Sequence, residues 1–472
     1  MAIVGAGLRG VWNLGAILAR QLEQSGLEVV ALCETFAPRA RDAREFLIQQ
    51  YRLAHHVADI TLYEDLDECL ADPRVDLVMI TTPSHEHAVP VEKALGAGKR
   101  VYLDKPLAHD QESCDAILAA ERSHGASIML GFTRRYESSW LKAHEMVREG
   151  AIGAPHMLLL RAVIPYDVYF HGWHRQRRFS GDALNDKSSH HVDAMAWFAG
   201  SDPIAVSAFG GRRVYRTDVE APARCSACDR ECPYRISPRL GGRSSPDSLL
   251  QLASEDPASR RAPGLGSRVA RLVGGRLAKL GSRKLFSSRQ ALLSLGSRLS
   301  RLDSKGVLDL SRLVGPERML SFLGGDDDVS VRDRCVFAPG ADILDHAVVN
   351  LRFESGMVGQ IFYSIFGFSA DDQETLEIVG ERGRLRLERH TGKLDLVAEY
   401  GRKRKTIDGR DACHNTMHFG ADERLARMLR DFANGTPPVV GCKEGHVASS
   451  TVFAALRSIE EDGRAVPVSR PT

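Results

Sequence analysis

A chain of 472 residues is too long for one ordinary hydrophobic core, so two domains are expected. Its composition is 43% hydrophobic and 26% charged, as in a soluble globular protein, and the formal net charge is only +2. No apolar run approaches the ~18 residues of a membrane helix and no signal peptide precedes the first strand, which argues against a membrane-spanning or exported chain and for the cytoplasm.

Ala2–Val4 reads as a short strand that runs into Gly5-Ala6-Gly7-Leu8-Arg9-Gly10 and then an amphipathic helix closing at Gly26. In a strand–turn–helix context these glycines have distinct tasks. Gly5 makes the tight turn, Gly7 lets the backbone approach a pyrophosphate, and Gly10 lets helix pack on strand; the helix start with Leu8 and Arg9 then faces the phosphates. Glu28–Cys33 is the second strand, and Glu34 follows it, 24 residues past Gly10, where an acid holds ribose hydroxyls. A carboxylate there repels a 2′-phosphate, so NAD is expected over NADP. Helices over about Pro38–Tyr51 and Gln111–His124, with strands at Leu77–Thr81, Val101–Leu103 and Ile128–Gly131, complete a doubly wound α/β domain over residues 1–133. Lys105 follows the Val101–Leu103 strand, at the carboxyl end where open α/β sheets bind ligands, and Pro106 restricts its backbone.

Two stretches, Thr81-Thr82-Pro83-Ser84-His85-Glu86-His87-Ala88 and Leu103-Asp104-Lys105-Pro106, resemble paired motifs of the glucose–fructose oxidoreductase / inositol dehydrogenase / MocA (Gfo/Idh/MocA) family, with Ser84 in place of Asn and Asp104 in place of Glu. The resemblance implies an NAD(P)-dependent oxidoreductase. It adds Thr82, Pro83, His87, Asp104 and Lys105 to the cofactor set of Gly5, Gly7, Leu8, Arg9, Gly10 and Glu34.

In Gly181–Asp193 (GDALNDKSSHHVD), Asp186, His190 and Asp193 fall at i, i+4 and i+7, on one helix face. A neutral imidazole with a carboxylate one turn away is suited to taking the proton of an alcohol under oxidation. The run resembles the family's GGxLxDxGxHxxD signature, departing at Asp182, Asn185 and Ser188; carried over, the family's catalytic Lys, Asp and His fall on Lys105, Asp186 and His190. Arg134, Tyr136, Trp173 and His191 are the candidate substrate contacts, with solvated or structural roles open for the arginine and an ordinary loop open around the Trp.

Cys225-x2-Cys228-x3-Cys232-Pro233, with Cys335 as a fourth thiol, fits a tetrahedral zinc; a plain structural loop fits as well. From about 238 to 325 the chain is an insertion rich in Ser, Arg, Gly and Leu. Its Arg260–Arg312 portion carries thirteen Lys/Arg against two Asp, an excess of 13 − 2 = +11. A docked arm or lid is the expected role. After Cys335 the pattern turns to strands with Gly-containing turns. Residues 134–472 therefore read as an α+β domain with a large, mostly antiparallel open sheet, one face of which can pair with a second subunit. The expected activity is NAD-dependent oxidation of a sugar, polyol or inositol secondary alcohol, or reduction of its ketone. An NAD-dependent glycosidase and a catalytically inactive NAD-binding regulator are the alternatives. No nucleic-acid partner is expected, because aromatic residues are nearly absent between the arginines of the insertion.

Overall fold

The structure, a computed structural model, describes residues 1–164, 168–234, 334–366 and 374–470. The basic insertion of about 238–325 lies outside the described residues, and so does every expectation attached to it. Strands β1 (Ala2–Val4), β2 (Ala31–Cys33), β3 (Thr61–Tyr63), β4 (Leu77–Ile80), β5 (Arg100–Leu103) and β6 (Ile128–Leu130) form a six-stranded sheet in the order β3-β2-β1-β4-β5-β6. Every pairing in it is parallel. Leu77–Ile80 is buried along its whole length, because helices cover both faces of such a sheet. The strand order reverses between β1 and β4, and open α/β sheets bind ligands in the crevice at the carboxyl ends of the strands there. Gly5 and Thr81 stand at those two ends.

The glycine loop opens a helix that differs from the expected one. Leu8–Gly15 winds as a wide π-type helix before α-helical Ala16–Arg20 and Leu22–Ser25. Gly10 and Gly15 let this segment seat on β1. A Cβ on Gly10 would lie 2.9 Å from Ile3 Cγ2, and one on Gly15 would lie 3.2 Å from Ile3 Cδ1. Such widened turns concentrate near functional sites.

The second sheet comprises β7 (Pro155–Val163), β8 (Pro203–Gly211), β9 (His346–Phe353), β10 (Val358–Ser364), β11 (Glu374–Gly380), β12 (Gly383–Glu388), β13 (Lys393–Ala398), β14 (Lys403–Asp408) and β15 (Val466–Pro467). Their order is β14-β13-β12-β11-β7-β10-β9-β8-β15, antiparallel throughout except for β7 beside β10. Period-two alternation sets its two faces. Leu158, Leu160 and Ala162 of β7 point into the core under the Ala183–Ala199 helix, the Cys442–Glu460 helix covers β8, and Met157 and Leu159 point outward.

The chain's last part returns to the first domain. In the Ala421–Ala433 helix, Leu425, Ala426, Leu429 and Phe432 are buried in one cluster with Ile3, Leu14 and Leu18. All described residues belong to one compact unit. Among them, no helix is long and apolar enough to cross a membrane.

Candidate active site

At the switch point, Gly5 takes φ +87°, and a Cβ there would stand 2.9 Å from Thr82 N, so only glycine fits this turn. Glu34 ends β2 as expected. One carboxylate oxygen accepts the Ala6 amide of the glycine loop at 3.0 Å, the other accepts the Phe36 amide at 3.0 Å, and Arg39 lies 3.3 Å away. Thr82 Oγ1, on the other wall, is buried with no hydrogen-bond partner among the described residues. A glycine turn, an acid at the end of β2 and an unsatisfied hydroxyl fit a dinucleotide.

Other residues of the expected cofactor set serve as scaffold. The Arg9 side chain does not reach out toward phosphates: Nε donates to Asp104 at 3.0 Å and Nη1 to Asp422 at 2.8 Å. Asp104 also accepts the Tyr102 hydroxyl at 2.9 Å, so its carboxylate is engaged in holding the end of β5 rather than a ligand. His87 is 1% exposed, with its ring between the Leu107 and Thr82 carbonyls at 3.1 and 3.0 Å. It positions the Pro83 turn against the segment after Lys105. The Lys105–Pro106 peptide is cis.

The three candidate catalytic residues come from two elements, and the structure brings them together. Lys105 Nζ donates to the Asp186 carbonyl at 2.9 Å and to its Oδ1 at 3.0 Å. The Tyr169 hydroxyl donates to Asp186 Oδ2 at 2.5 Å. Burial alone would raise the pKa of Asp186, but the Lys105 ammonium, His174 and the Tyr169 hydroxyl outweigh it and hold the carboxyl down at about 2. His190, one turn on, packs its ring on Phe132 with centroids 5.4 Å apart. Its Nδ1 is buried and has no partner among the described residues. Burial first, then the nearby Arg134, Lys105 and Lys187 charges, hold its pKa well below the usual histidine range, so the ring is neutral. A cation, an anion fixed beside it and a neutral base with a free nitrogen can polarise an alcohol and take its proton.

The helix carrying Asp186 and His190 spans Ala183–Ala199, and its start replaces the glycine of the family signature with Asp182 at φ +84°, ψ 151°, a region that is almost the preserve of glycine. The Asp182 carboxylate offsets that strain by accepting the Leu184 amide at 2.9 Å and the Leu344 amide at 3.1 Å. Asn185 ties the same turn to the chain after Lys105, donating to the Ala108 carbonyl at 2.9 Å. Ser188 is 3.2 Å from His191 Nδ1. Asp193 pairs with Arg135 at 2.8 Å.

Trp173 stands where a substrate contact was expected. It stacks on His174 at 3.7 Å, and His174 stacks on Tyr169 at 4.8 Å, a row of rings ending at Asp186. His85 closes the wall, 5.7 Å from Trp173 and 4.8 Å from Phe179. The other three expected contacts are buried. Arg134 is 1% exposed because Glu374 takes its guanidinium at 2.5 and 2.7 Å and Glu137 at 3.0 Å. His191, fully buried, lies 3.5 Å from Glu374. Tyr136 is buried in the first domain's core. Tyr169 was missed in the sequence. Its only signal is a tyrosine four residues before the already conspicuous Trp173.

Cys225 and Cys228 are joined by a 3-10 turn and, with Cys335, are buried; Cys232 is half-buried. Among the described residues, no group of three His, Cys, Asp or Glu side chains stands at metal-binding spacing. The expected zinc shell is therefore not preformed.

Residues 1–132 match the family described as "Oxidoreductase family, NAD-binding Rossmann fold", and residues 140–227 match the "GFO/IDH/MocA C-terminal domain". Inositol 2-dehydrogenase of Salmonella paratyphi B is 28% identical over 216 residues, 44% of this chain and 58% of that protein. The chain thus spans under two thirds of that relative. Inositol 2-dehydrogenase of Acidothermus cellulolyticus is 29% identical over 282 residues, 55% of this chain and 76% of that protein. In fold, a levoglucosan dehydrogenase solved with NADH and levoglucosan superposes with a TM-score of 0.66 at 16% identity, over 99% of both chains. With a Rossmann sheet, a mostly antiparallel second sheet and the Lys105–Asp186–His190 grouping between them, the chain belongs to the Gfo/Idh/MocA oxidoreductase family.

Proposed function

We propose that the chain is an NAD-dependent dehydrogenase acting on a secondary alcohol of a sugar, polyol or inositol, or on the corresponding ketone in reverse. The observation that carries this reading is the Lys105–Asp186 pair beside a neutral His190. The glycine loop, Glu34 and Thr82 would hold the dinucleotide, whose nicotinamide supplies the hydride acceptor when bound. Lys105, held in place by Asp186, stabilises the substrate oxygen as it becomes an alkoxide. His190 receives the hydroxyl proton, and the Trp173–His174 rings offer an apolar platform for the sugar face. The Glu34 carboxylate favours NAD, because a 2′-phosphate would meet it, although Arg39 stands close enough to soften that preference.

The inositol dehydrogenase relatives support the choice of substrate class, and the buried, unbridged Cys33, Cys69, Cys114 and Cys442 support a reducing, cytoplasmic setting. Self-association through the outer face of the second sheet is the proposed assembly. Met157, Leu159, Phe209, Val358 and Phe362 stand on it with 54, 46, 57, 45 and 45% exposure. The test is NADH formation with inositols, aldoses and polyols, together with Lys105→Met. Turnover should fall by about 10³-fold or more while NAD binding changes less than about threefold, because the pyrophosphate contacts lie elsewhere. Full activity of Lys105→Met would overturn the reading.

A further inference from the structure

Cys225, Cys228, Cys232 and Cys335 have no part in the site above, and the fold brings their two segments together. Arg224 pairs antiparallel with Arg334, and the Cys335 amide donates to the Ala223 carbonyl at 3.0 Å. Cys225 and Cys335 are then diagonal neighbours on one face of that pair, where Cβ atoms lie about 7–8 Å apart or less. Two thiolates spaced so can share one ion at metal–sulfur distances of about 2.3 Å. Cys228 comes round to the same place through the 3-10 turn, its amide donating to the Cys225 carbonyl at 3.2 Å. The fourth thiol, Cys232, follows four residues later in the same loop.

A second observation points the same way. Arg175 is 2% exposed, and its guanidinium finds only carbonyls: Cys335 at 3.1 Å, Pro339 at 3.4 Å, and Ala338. Among the described residues no carboxylate pairs with it. A buried cation without an anion is costly, and a thiolate cluster at Cys335 would provide the missing charge. The position also suits a clip. The thiols bracket residues 235–333, a long stretch of chain whose ends a cross-link would pin together.

We propose that these four cysteines bind one zinc ion as a structural four-thiolate site at the foot of that stretch, with Arg175 as its counter-charge. Each thiol releases its proton to solvent on binding, and no electron is transferred. Because the thiols are not preassembled, binding draws them inward by side-chain rotation.

The experiment is elemental analysis of the full chain purified without chelator, with Cys228→Ser, Cys335→Ser and, as control, Cys413→Ser. About one zinc per chain is expected in the parent and the control, and none in the two cluster variants. Because those variants could misfold, cobalt titration of the metal-stripped parent is the second measurement, and it should give the absorption of tetrahedral thiolate coordination. Absence of stoichiometric metal with all four thiols open to titration would overturn the proposal. Bound iron in place of zinc, or disulfides among the four, would overturn it equally.

Discussion

His190 and His191 are consecutive residues of one helix, both buried, and they face two ionic clusters of opposite character. On the His190 side, Lys105, Asp186 and Tyr169 leave one imidazole nitrogen without a partner and Lys105 partly open to solvent. On the His191 side, Arg134, Arg389, Glu137 and Glu374 form a closed network: Arg389 meets Glu137 at 2.6 Å and Glu374 at 3.6 Å, and Arg134 meets both acids. Burial would raise the pKa of Glu374, but Arg134 and Arg389 hold it well below the usual carboxylate range. Residue type does not separate a reactive cluster from a structural one. Access does: Lys105 is 21% exposed beside its acid, whereas Arg134, Glu137 and Glu374 are at most 3% exposed and paired with one another.

The sharpest way to break the comparison is Glu374→Gln. Removing one charge of the closed network leaves two buried guanidinium groups to share Glu137, and stability should drop by about 3–5 kcal/mol in urea unfolding. Turnover per folded molecule should change less than about threefold. Lost turnover at unchanged stability would place His191 in the chemistry after all.

Next in size is Asp182, which starts the helix carrying both clusters. Burial raises its pKa from 3.8 to about 6. Because the folded carboxyl binds its proton more tightly than the unfolded one, the stability it lends is present below about pH 4 and is lost as pH rises to about 6. The shift corresponds to about 3 kcal/mol. Asp182→Asn keeps one of the two acceptors, without the charge, so its stability relative to the parent should improve by about 2–3 kcal/mol between pH 4 and pH 7. A difference that does not vary with pH would show that the parent's carboxylate is not desolvated as described. The smallest effect is expected from Tyr169→Phe. Asp186 loses one donor, its pKa should rise, and kcat should fall by about tenfold with KM nearly unchanged. An unaltered kcat would make Tyr169 a bystander on the open side.

The open cluster was legible because its geometry is local: Asp186 and His190 share a helix face by spacing alone, and Lys105 follows a strand of the repeating α/β pattern. The closed cluster was not. Arg134 finds Glu374 240 residues away, a pairing that no local pattern announces, so the sequence alone leaves ligand contact and structural pairing both open for it. The same division runs through the fold. Unbroken apolar strands such as Leu77–Ile80 were plain, whereas β14, Lys403–Asp408, is nearly all polar and exposed, an edge strand whose residues give no apolar alternation. Pro203–Gly211 dilutes its two β-branched residues, Ile204 and Val206, with Ala and Gly and is held there by β9 on one side and β15 on the other.

The return of Ala421–Ala433 to the first domain has a consequence for the order in which the chain is made. During synthesis the residues of β1 and the glycine loop emerge first, yet part of the surface that buries Ile3, Leu14 and Leu18 emerges some four hundred residues later, together with Asp422, the partner of Arg9. At ~5–20 residues per second, the nascent nucleotide domain waits roughly 20–80 s with that apolar flank uncovered. The two domains are thus separate in sheet topology but joined in time: a ribosome that stops short of residue 421 releases a cofactor domain lacking one wall of its core.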